Sequence, residues 1–245
     1  MKLYGLIGYP LGHSFSKKYF EDKFAKEGLK DCRFELFPLK NIEAFKELIA
    51  EEKSLHGIAV TIPYKEAVMQ LLNEIDPAAQ AIGAVNCIQF SAGKLKGYNT
   101  DVIGFEQSLL PLLKPHHTKA LILGSGGSSK AVKYVLKKNK IDCKIVSRNA
   151  RAGSDTISYH DLNEAIMDEY NIIINCTPVG MYPDEHLSPD IPYGLITGKH
   201  LLYDLTYKPE KTKFLQKGEE CGAAIKNGFE MLVLQAEENW KIWNG

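Results

Sequence analysis

The sequence of 245 residues is short of several things, and each shortage excludes a class of protein. It has only five cysteines, Cys32, Cys87, Cys143, Cys176 and Cys221, widely spaced and without a CxxC pair. That pattern excludes a disulfide framework and a zinc site, and it reads as reduced, intracellular thiols. No apolar run approaches the ~18 residues that would span a bilayer. Neither sign of charge is in excess: Lys plus Arg is 30 and Asp plus Glu is 30, so the formal net charge is +0. A neutral total argues against coating nucleic acid or an anionic membrane, but not against a local basic pocket for a small anion. The opening MKLYGLIGYPLGHS holds one Lys, and Gly and Pro break its apolar run. It makes a poor signal peptide, and a cytoplasmic location is expected.

What is present is ordinary for a globular chain. The hydrophobic fraction is 44% and the charged fraction 24%. At roughly 150 residues per domain the length suggests one to two domains, with a core that needs no staples.

Short apolar runs alternate with helical patterns. Leu3–Gly8, Arg33–Leu39 and Gly57–Ile62 read as strands. Helices are expected over 16–27, stopped by Gly28, and from Asn41 through Ile49. Lys65–Leu72 and Pro77–Ile82 also read as helices. Val85–Phe90 and Leu95–Tyr98 flank Ser91-Ala92-Gly93, a hairpin turn, and Gly104–Leu113 is helical. After Pro111 and Pro115 a second series begins. Its strands are Lys119–Leu123, Cys143–Val146, Ile172–Ile174 and Leu201–Leu205. Its helices are Ala131–Lys138, one near 210–220, and Gly228–Trp243. Such alternation implies parallel sheets covered on both faces. The expected fold is α/β: two α/β domains around a cleft, the second a Rossmann-type doubly wound domain.

The sharpest chemical signal is Leu121-Ile-Leu-Gly124-Ser125-Gly126-Gly127-Ser128, a strand entering a Gly-rich turn that opens a helix. Glycines let the backbone approach a pyrophosphate, whose charge is received by the N–H groups of the helix start. The alternative is a Gly-rich connection with no ligand. The next strand ends Ser147-Arg148-Asn149-Ala150-Arg151, with no acid until Asp155. An NAD-preferring site places Asp or Glu here for the ribose, whereas Arg148 and Arg151 suit a 2′-phosphate. NADP is the expected cofactor, unless the arginines are merely solvated. Lys65 follows one strand end and Asp101 opens a helix. A Lys–Asp pair can hold a carbonyl oxygen and pass it a proton as a hydride arrives. Singly, each could be a surface charge, and Asp101 a helix cap. Ser14 and Ser16, on a strand-exit loop, could bind a carboxylate or cap the following helix. His13 reads as structural.

At these residues the chain resembles the shikimate dehydrogenases, NADP-dependent enzymes of aromatic amino acid biosynthesis. The resemblance runs end to end: Gly8-x-Pro10-x-x-His13-Ser14-x-Ser16, Val60-Thr61-x-Pro63-x-Lys65, Gly83-Ala-Val-Asn86, Gly97-x-Asn99-Thr100-Asp101-x-x-Gly104, Gly124-x-Gly126-Gly127-x-x-x-Ala131, Asn175-x-Thr177-Pro178-x-Gly180-Met181, Tyr203-Asp204-Leu205-x-Tyr207-x-Pro209-x-x-Thr212, and Asn227-Gly228-x-x-Met231-Leu232-x-x-Gln235-Ala236. Each is modest alone; in this order they are specific.

The resemblance implies reversible reduction of 3-dehydroshikimate to shikimate with NADPH. It implies that Ser14 and Ser16, helped by Tyr207, hold the substrate carboxylate. Lys65 and Asp101 would be the catalytic pair, and Thr61, Asn86 and Gln235 would bind ring hydroxyls. Gly124, Gly126, Gly127 and Ser128 would cradle the pyrophosphate, with Arg148, Asn149 and Arg151 beside the 2′-phosphate. Thr177, Gly228 and Met231 would line the nicotinamide pocket, although Met231 also suits a core position. Residues 1–101 with 226–245 would bind substrate and 102–225 would bind NADP. No metal, nucleic acid or membrane partner is expected, and the assembly would be a monomer or homodimer. Two departures stand out: Ala59 occupies the family's usual Asn position, and Ser147-Arg148-Asn149 replaces Asn-Arg-Thr. A quinate/shikimate dehydrogenase using NAD and a non-catalytic dinucleotide-binding regulator are the alternatives.

Overall fold

The computed structural model describes residues 1–12, 14–150 and 156–245. The chain forms two compact units, Met1–Thr100 with Ala236–Gly245, and Asp101–Gln235.

In the first unit the chain runs through β1 (Lys2–Gly8), α1 (Phe15–Glu27), β2 (Cys32–Pro38), α2 (Ala44–Glu51) and β3 (Leu55–Val60). A 3-10 turn over Ala67–Leu71 leads to β4 (Glu74–Ile75), α3 (Pro77–Ile82), β5 (Cys87–Ser91) and β6 (Lys94–Tyr98). The helix boundaries have local causes. α1 stops where Gly28 turns left-handed at φ 68. The carboxylate of Asp76 accepts a hydrogen bond from the N–H of Ala78, and Pro77 opens α3. Asn41 Oδ1 accepts from the N–H of Ala44 at 3.0 Å, just ahead of α2. The segment expected to be helical over 65–72 forms only the 3-10 turn. Its buried anchors, Tyr64 and Val68, are one turn apart, and the chain leaves at Leu72 to reach β4.

The strand order is β2-β1-β3-β5-β6-β4. β1 is parallel to β2 and β3, but β5 is antiparallel to both β3 and β6. The sheet is therefore mixed, with the expected hairpin joining β5 to β6 and β4 again parallel to β6. The turn at Ala92 and Gly93 (φ 49 and 76) reverses the chain directly from β5 into β6, which makes that pair antiparallel. Both faces of this sheet are buried. On β1, Leu3 and Ile7 join a core with Phe45, Ile58, Val60 and Ile88, whereas Tyr4 and Leu6 join Phe20, Phe24 and Phe34. The period of two is the strand's own. The aromatic side is completed by Trp240 and Trp243 of the final helix.

The second unit contains α4 (Asp101–Leu109), β7 (Lys119–Leu123), α5 (Gly127–Lys138), β8 (Asp142–Val146), β9 (Thr156–Ile157) and α6 (Glu164–Glu169). It continues through β10 (Ile172–Asn175), β11 (Leu201–Asp204), α7 (Lys213–Glu220) and β12 (Ala224–Lys226) into α8 (Phe229–Asn244), whose second half belongs to the first unit. The sheet is parallel throughout, in the order β12-β11-β10-β7-β8-β9. Its central strands are continuous apolar runs buried on both faces, as parallel sheets require. From β7 the chain builds outward in one direction through β8 and β9, then in the other through β10 to β12. The order thus reverses between β7 and β10, which is the doubly wound arrangement. β4, β9, β12 and α6 are too short for a periodic signal, and none stands out in the sequence. Among the described residues no helix is long and apolar enough to cross a membrane.

Candidate active site

In the first unit, the expected substrate residues gather where β1 and β3 end. The N–H of Thr61 donates to the carbonyl of Ile7 at 2.9 Å, and that of Tyr9 to the carbonyl of Ile62 at 3.0 Å. The exits of the two neighbouring strands are thereby tied together. The Thr61 methyl occupies the space a side chain at Gly8 would need. The N–H of Val60 donates to the carbonyl of Asn86 at 2.8 Å, and that of Val85 to the carbonyl of Lys65 at 2.7 Å. Thr61, Lys65 and Asn86 therefore share one sheet edge. Ser14 ends the loop leaving β1, and Ser16 is the second residue of α1. Ser14 occupies the N-cap position, but its hydroxyl makes no cap bond. Capping does not account for that side chain.

Asn86 is buried and held from behind. Its Oδ1 accepts from the N–H of Thr100 at 2.7 Å, and the Thr100 hydroxyl lies 2.7 Å from Asn239 Oδ1 on α8. Asn99 Nδ2 donates to the carbonyl of Ala84 at 2.9 Å, steadying the same loop. Asn99 and Asn239 are two polar side chains in this arrangement to which the sequence reading assigned no role. Asn99 stands in the run Gly97-x-Asn99-Thr100-Asp101, whereas Asn239, between Glu238 and Trp240, carries no signal in the chain.

The second unit places the Gly-rich turn at the reversal point of its sheet. Gly124 has φ +98, a conformation that disfavours any side chain, and a Cβ there would lie 2.8 Å from the Thr177 methyl. Gly126 is the N-cap of α5 and supplies no capping side chain, while a Cβ on Gly126 or Gly127 would meet nothing within 4 Å. The turn offers open space in front of a helix start whose N–H groups lack a side-chain cap. It fits a pyrophosphate. Ser128 lies in the first turn of α5. Arg148 and Asn149 are exposed immediately after β8, where Ser147 Oγ accepts from the N–H of Asn149 at 3.3 Å. Exposure suits a phosphate-binding arginine. Arg151, like His13 and Asp155, lies outside the described residues.

The other expected residues of this unit follow its sheet. Thr177 comes two residues past the end of β10, and Tyr207 is half-buried after β11. Burial pushes the Tyr207 phenol above its ordinary range, so it acts as a neutral hydroxyl. Gly228 is buried against the carbonyl of Leu205, leaving no room for a side chain. Asp101 opens α4, and Met231 and Gln235 are buried on α8. α4 approaches α8 at Gly104, where a Cβ would lie 2.5 Å from the Met231 carbonyl. Met231 is therefore a packed residue as well as a candidate pocket residue. Lys65 and Asp101 belong to different units. Among the described residues, no group of three or more His, Cys, Asp or Glu side chains could hold a metal ion.

A larger polar network behind Thr177 was also unassigned. Asn175, Asp204, Thr206 and Thr212 are all buried, and Asn175, Asp204 and Thr212 are fully so. Asn175 and Asp204 close the apolar runs Ile-Ile-Ile-Asn and Leu-Leu-Tyr-Asp, and both, like Thr212, stand in the motifs quoted above.

A parallel doubly wound sheet with an uncapped glycine turn at its reversal point defines a Rossmann-type dinucleotide-binding domain, here joined to a second α/β unit. Residues 6–88 match the family model described as the shikimate dehydrogenase substrate binding domain. The chain is 37% identical over 256 residues to the shikimate dehydrogenase (NADP(+)) of Aquifex aeolicus, covering 100% of this chain and 91% of that one. A chorismate mutase/shikimate 5-dehydrogenase fusion protein from Clostridium acetobutylicum has a TM-score of 0.88 and 38% identity, covering 99% of this chain and 91% of that one. Shikimate 5-dehydrogenase from Thermus thermophilus, solved with NADP(H) and shikimate, has a TM-score of 0.87 and 28% identity, covering 100% of this chain and 94% of that one. The chain belongs to the shikimate dehydrogenase family.

Proposed function

We propose that this protein is an NADP-dependent shikimate dehydrogenase, reversibly reducing 3-dehydroshikimate to shikimate in aromatic amino acid biosynthesis. The observation that carries this reading is a full-length relationship to enzymes of that name in a chain that keeps both Lys65 and Asp101. The first unit takes the substrate and the second the cofactor. Ser14, Ser16 and Tyr207 bind the substrate carboxylate; Thr61, Asn86 and Gln235 bind its hydroxyls. Gly124, Gly126, Gly127 and Ser128 receive the pyrophosphate, and Arg148, Asn149 and Arg151 receive the 2′-phosphate.

Bound NADPH supplies the hydride. As the ring carbonyl carbon gains it, its oxygen becomes an alkoxide, which Lys65 stabilises and protonates. Asp101 is the second member of the pair and shares in that proton transfer. In the oxidation direction the same pair accepts the proton of the substrate hydroxyl. Thr177, Gly228 and Met231 orient the nicotinamide and exclude water. The enzyme works in the cytoplasm, as a monomer or homodimer.

The test follows reduced-cofactor absorbance with shikimate and with quinate, each with NADP+ and NAD+. Shikimate with NADP+ should be the fastest combination. Quinate with NAD+ as the fastest pair would replace this reading with a quinate dehydrogenase. Tight NADPH binding without turnover would replace it with a dinucleotide-binding regulator.

A further inference from the structure

At the carboxyl ends of β10 and β11 a chain of hydrogen bonds has its direction fixed by backbone N–H groups, which can only donate. The N–H of Thr206 donates to Asp204 Oδ1 at 3.0 Å. Asn175 Nδ2 donates to the same oxygen at 3.1 Å and to the carbonyl of Val179 at 3.4 Å, so both its hydrogens are used. Thr212 Oγ1 donates to Asp204 Oδ2 at 2.6 Å. At the opposite end of the Asn175 amide, Oδ1 accepts from the N–H of Thr177 at 3.0 Å. That end must therefore be the oxygen.

The consequence falls on the Thr177 hydroxyl. Its Oγ1 lies 2.6 Å from Asn175 Oδ1, and an amide oxygen has no hydrogen to give. Thr177 must donate, and its one hydroxyl hydrogen is committed. The N–H of Val179 also donates to Thr177 Oγ1, at 3.3 Å. Toward a ligand this oxygen can only accept. Asp204 anchors the chain of bonds. Burial pushes its carboxyl above the usual range, against the lowering effect of its bonds from Thr212, Thr206 and Asn175.

Thr177 also stands where a cofactor would pass. Leu123 and Asn175 pair across β7 and β10, and the N–H of Cys176 donates to the carbonyl of Leu123 at 2.9 Å. The Thr177 methyl faces Gly124, and the residue is partly exposed. This is the crevice at the reversal of strand order, where ligands of doubly wound sheets bind.

We propose that Thr177 is a specificity-determining residue whose hydroxyl, held as an obligate acceptor by Asn175, requires a hydrogen-bond donor on the nicotinamide ring substituent: the amino group of the carboxamide. This rests on the reading that places Thr177 in the nicotinamide pocket. Asn175 is then a positioning residue, with Asp204 behind it.

The test measures dissociation constants by calorimetry for NADP+, its thionicotinamide analogue, which keeps the amino group, and its 3-acetylpyridine analogue, which has a methyl in that place. The wild-type protein should bind the first two alike and the acetyl analogue about three- to tenfold more weakly, the loss of one net hydrogen bond. Thr177→Val should abolish the preference by weakening only the ligands with the amino group, and Thr177→Ser should restore it. If Thr177→Val weakens all three ligands equally, the acceptor assignment is overturned while Thr177 stays in the pocket. If it changes none of them, both the proposal and the placement of Thr177 at the nicotinamide are overturned.

Discussion

The indole of Trp243 lies against Gly57, in the space a side chain there would need, and its Nε1 donates to the carbonyl of Ile88 at 3.0 Å. The final helix is thus keyed into the first sheet by one ring across β3 and β5. Trp243 also stacks on Tyr4 at 5.2 Å between ring centroids, and Gln89 Nε2 donates to the carbonyl of Ile242 at 2.5 Å. Burial pushes the Tyr4 phenol up to about 12.

Gly57→Ala should expel the indole from this seat. Overpacking of this kind costs about 1–3 kcal/mol. A lower midpoint in urea unfolding, with red-shifted tryptophan emission, is the expected result. An unchanged midpoint would show that the helix is not seated this way.

Lys65→Ala should lower turnover by about a hundredfold or more, the usual range for a lost general acid. NADPH affinity, read by fluorescence titration, should stay near wild type. Lys65→Met should behave alike, separating charge from bulk. Near-normal turnover in either variant would remove Lys65 from the mechanism.

Arg148→Ala should weaken NADPH binding by about tenfold, the scale of a charge-assisted hydrogen bond at an exposed site. NADH binding should hardly move, because it lacks the 2′-phosphate. Equal weakening of both cofactors would place Arg148 elsewhere than at the phosphate.

A pH dependence follows from His117. Its Nδ1 accepts from the N–H of Lys114 at 3.0 Å, which leaves Nε2–H to donate to the carbonyl of Lys199 at 3.0 Å. Burial holds its pKa below the ordinary 6.5, against the raising effect of the Lys199 bond. The unfolded chain therefore takes up this proton at a higher pH than the folded one. The stability involved is fully present above pH 6.5 and is lost as pH falls toward and through the folded value. His117→Gln should flatten the fall in melting temperature below pH 6.5, and an identical pH profile would argue against it.

Much of this architecture is legible along the chain because it rests on local causes. Gly28 and Gly83 stop helices through their own left-handed backbone, and Asp76-Pro77 starts one. The run from Leu121 to Ser128 announces a strand, a tight turn and a helix start. Ser14 and Asn41 are both residue types that cap helices, each just ahead of one. Asn41 accepts from a backbone N–H ahead of α2, but Ser14 does not cap, because capping depends on a rotamer that residue type does not specify. Lys65–Leu72 has helical spacing, yet the route from β3 to β4 leaves only a 3-10 turn.

Sequence alone determined the two α/β series, the Gly-rich turn, the basic strand end and the identity of the polar residues, since each depends on neighbours in the chain. Tertiary structure decided which of those residues meet. Asn175 and Asp204 are 29 positions apart, and only the pairing of β10 with β11 brings amide to carboxylate. Thr100 and Asn239 are 139 apart, joined only because the final helix returns to the first sheet. The direction of a hydrogen bond is set by which fixed donors surround it. That is why the obligate acceptor at Thr177 is written in the fold and not in the residue.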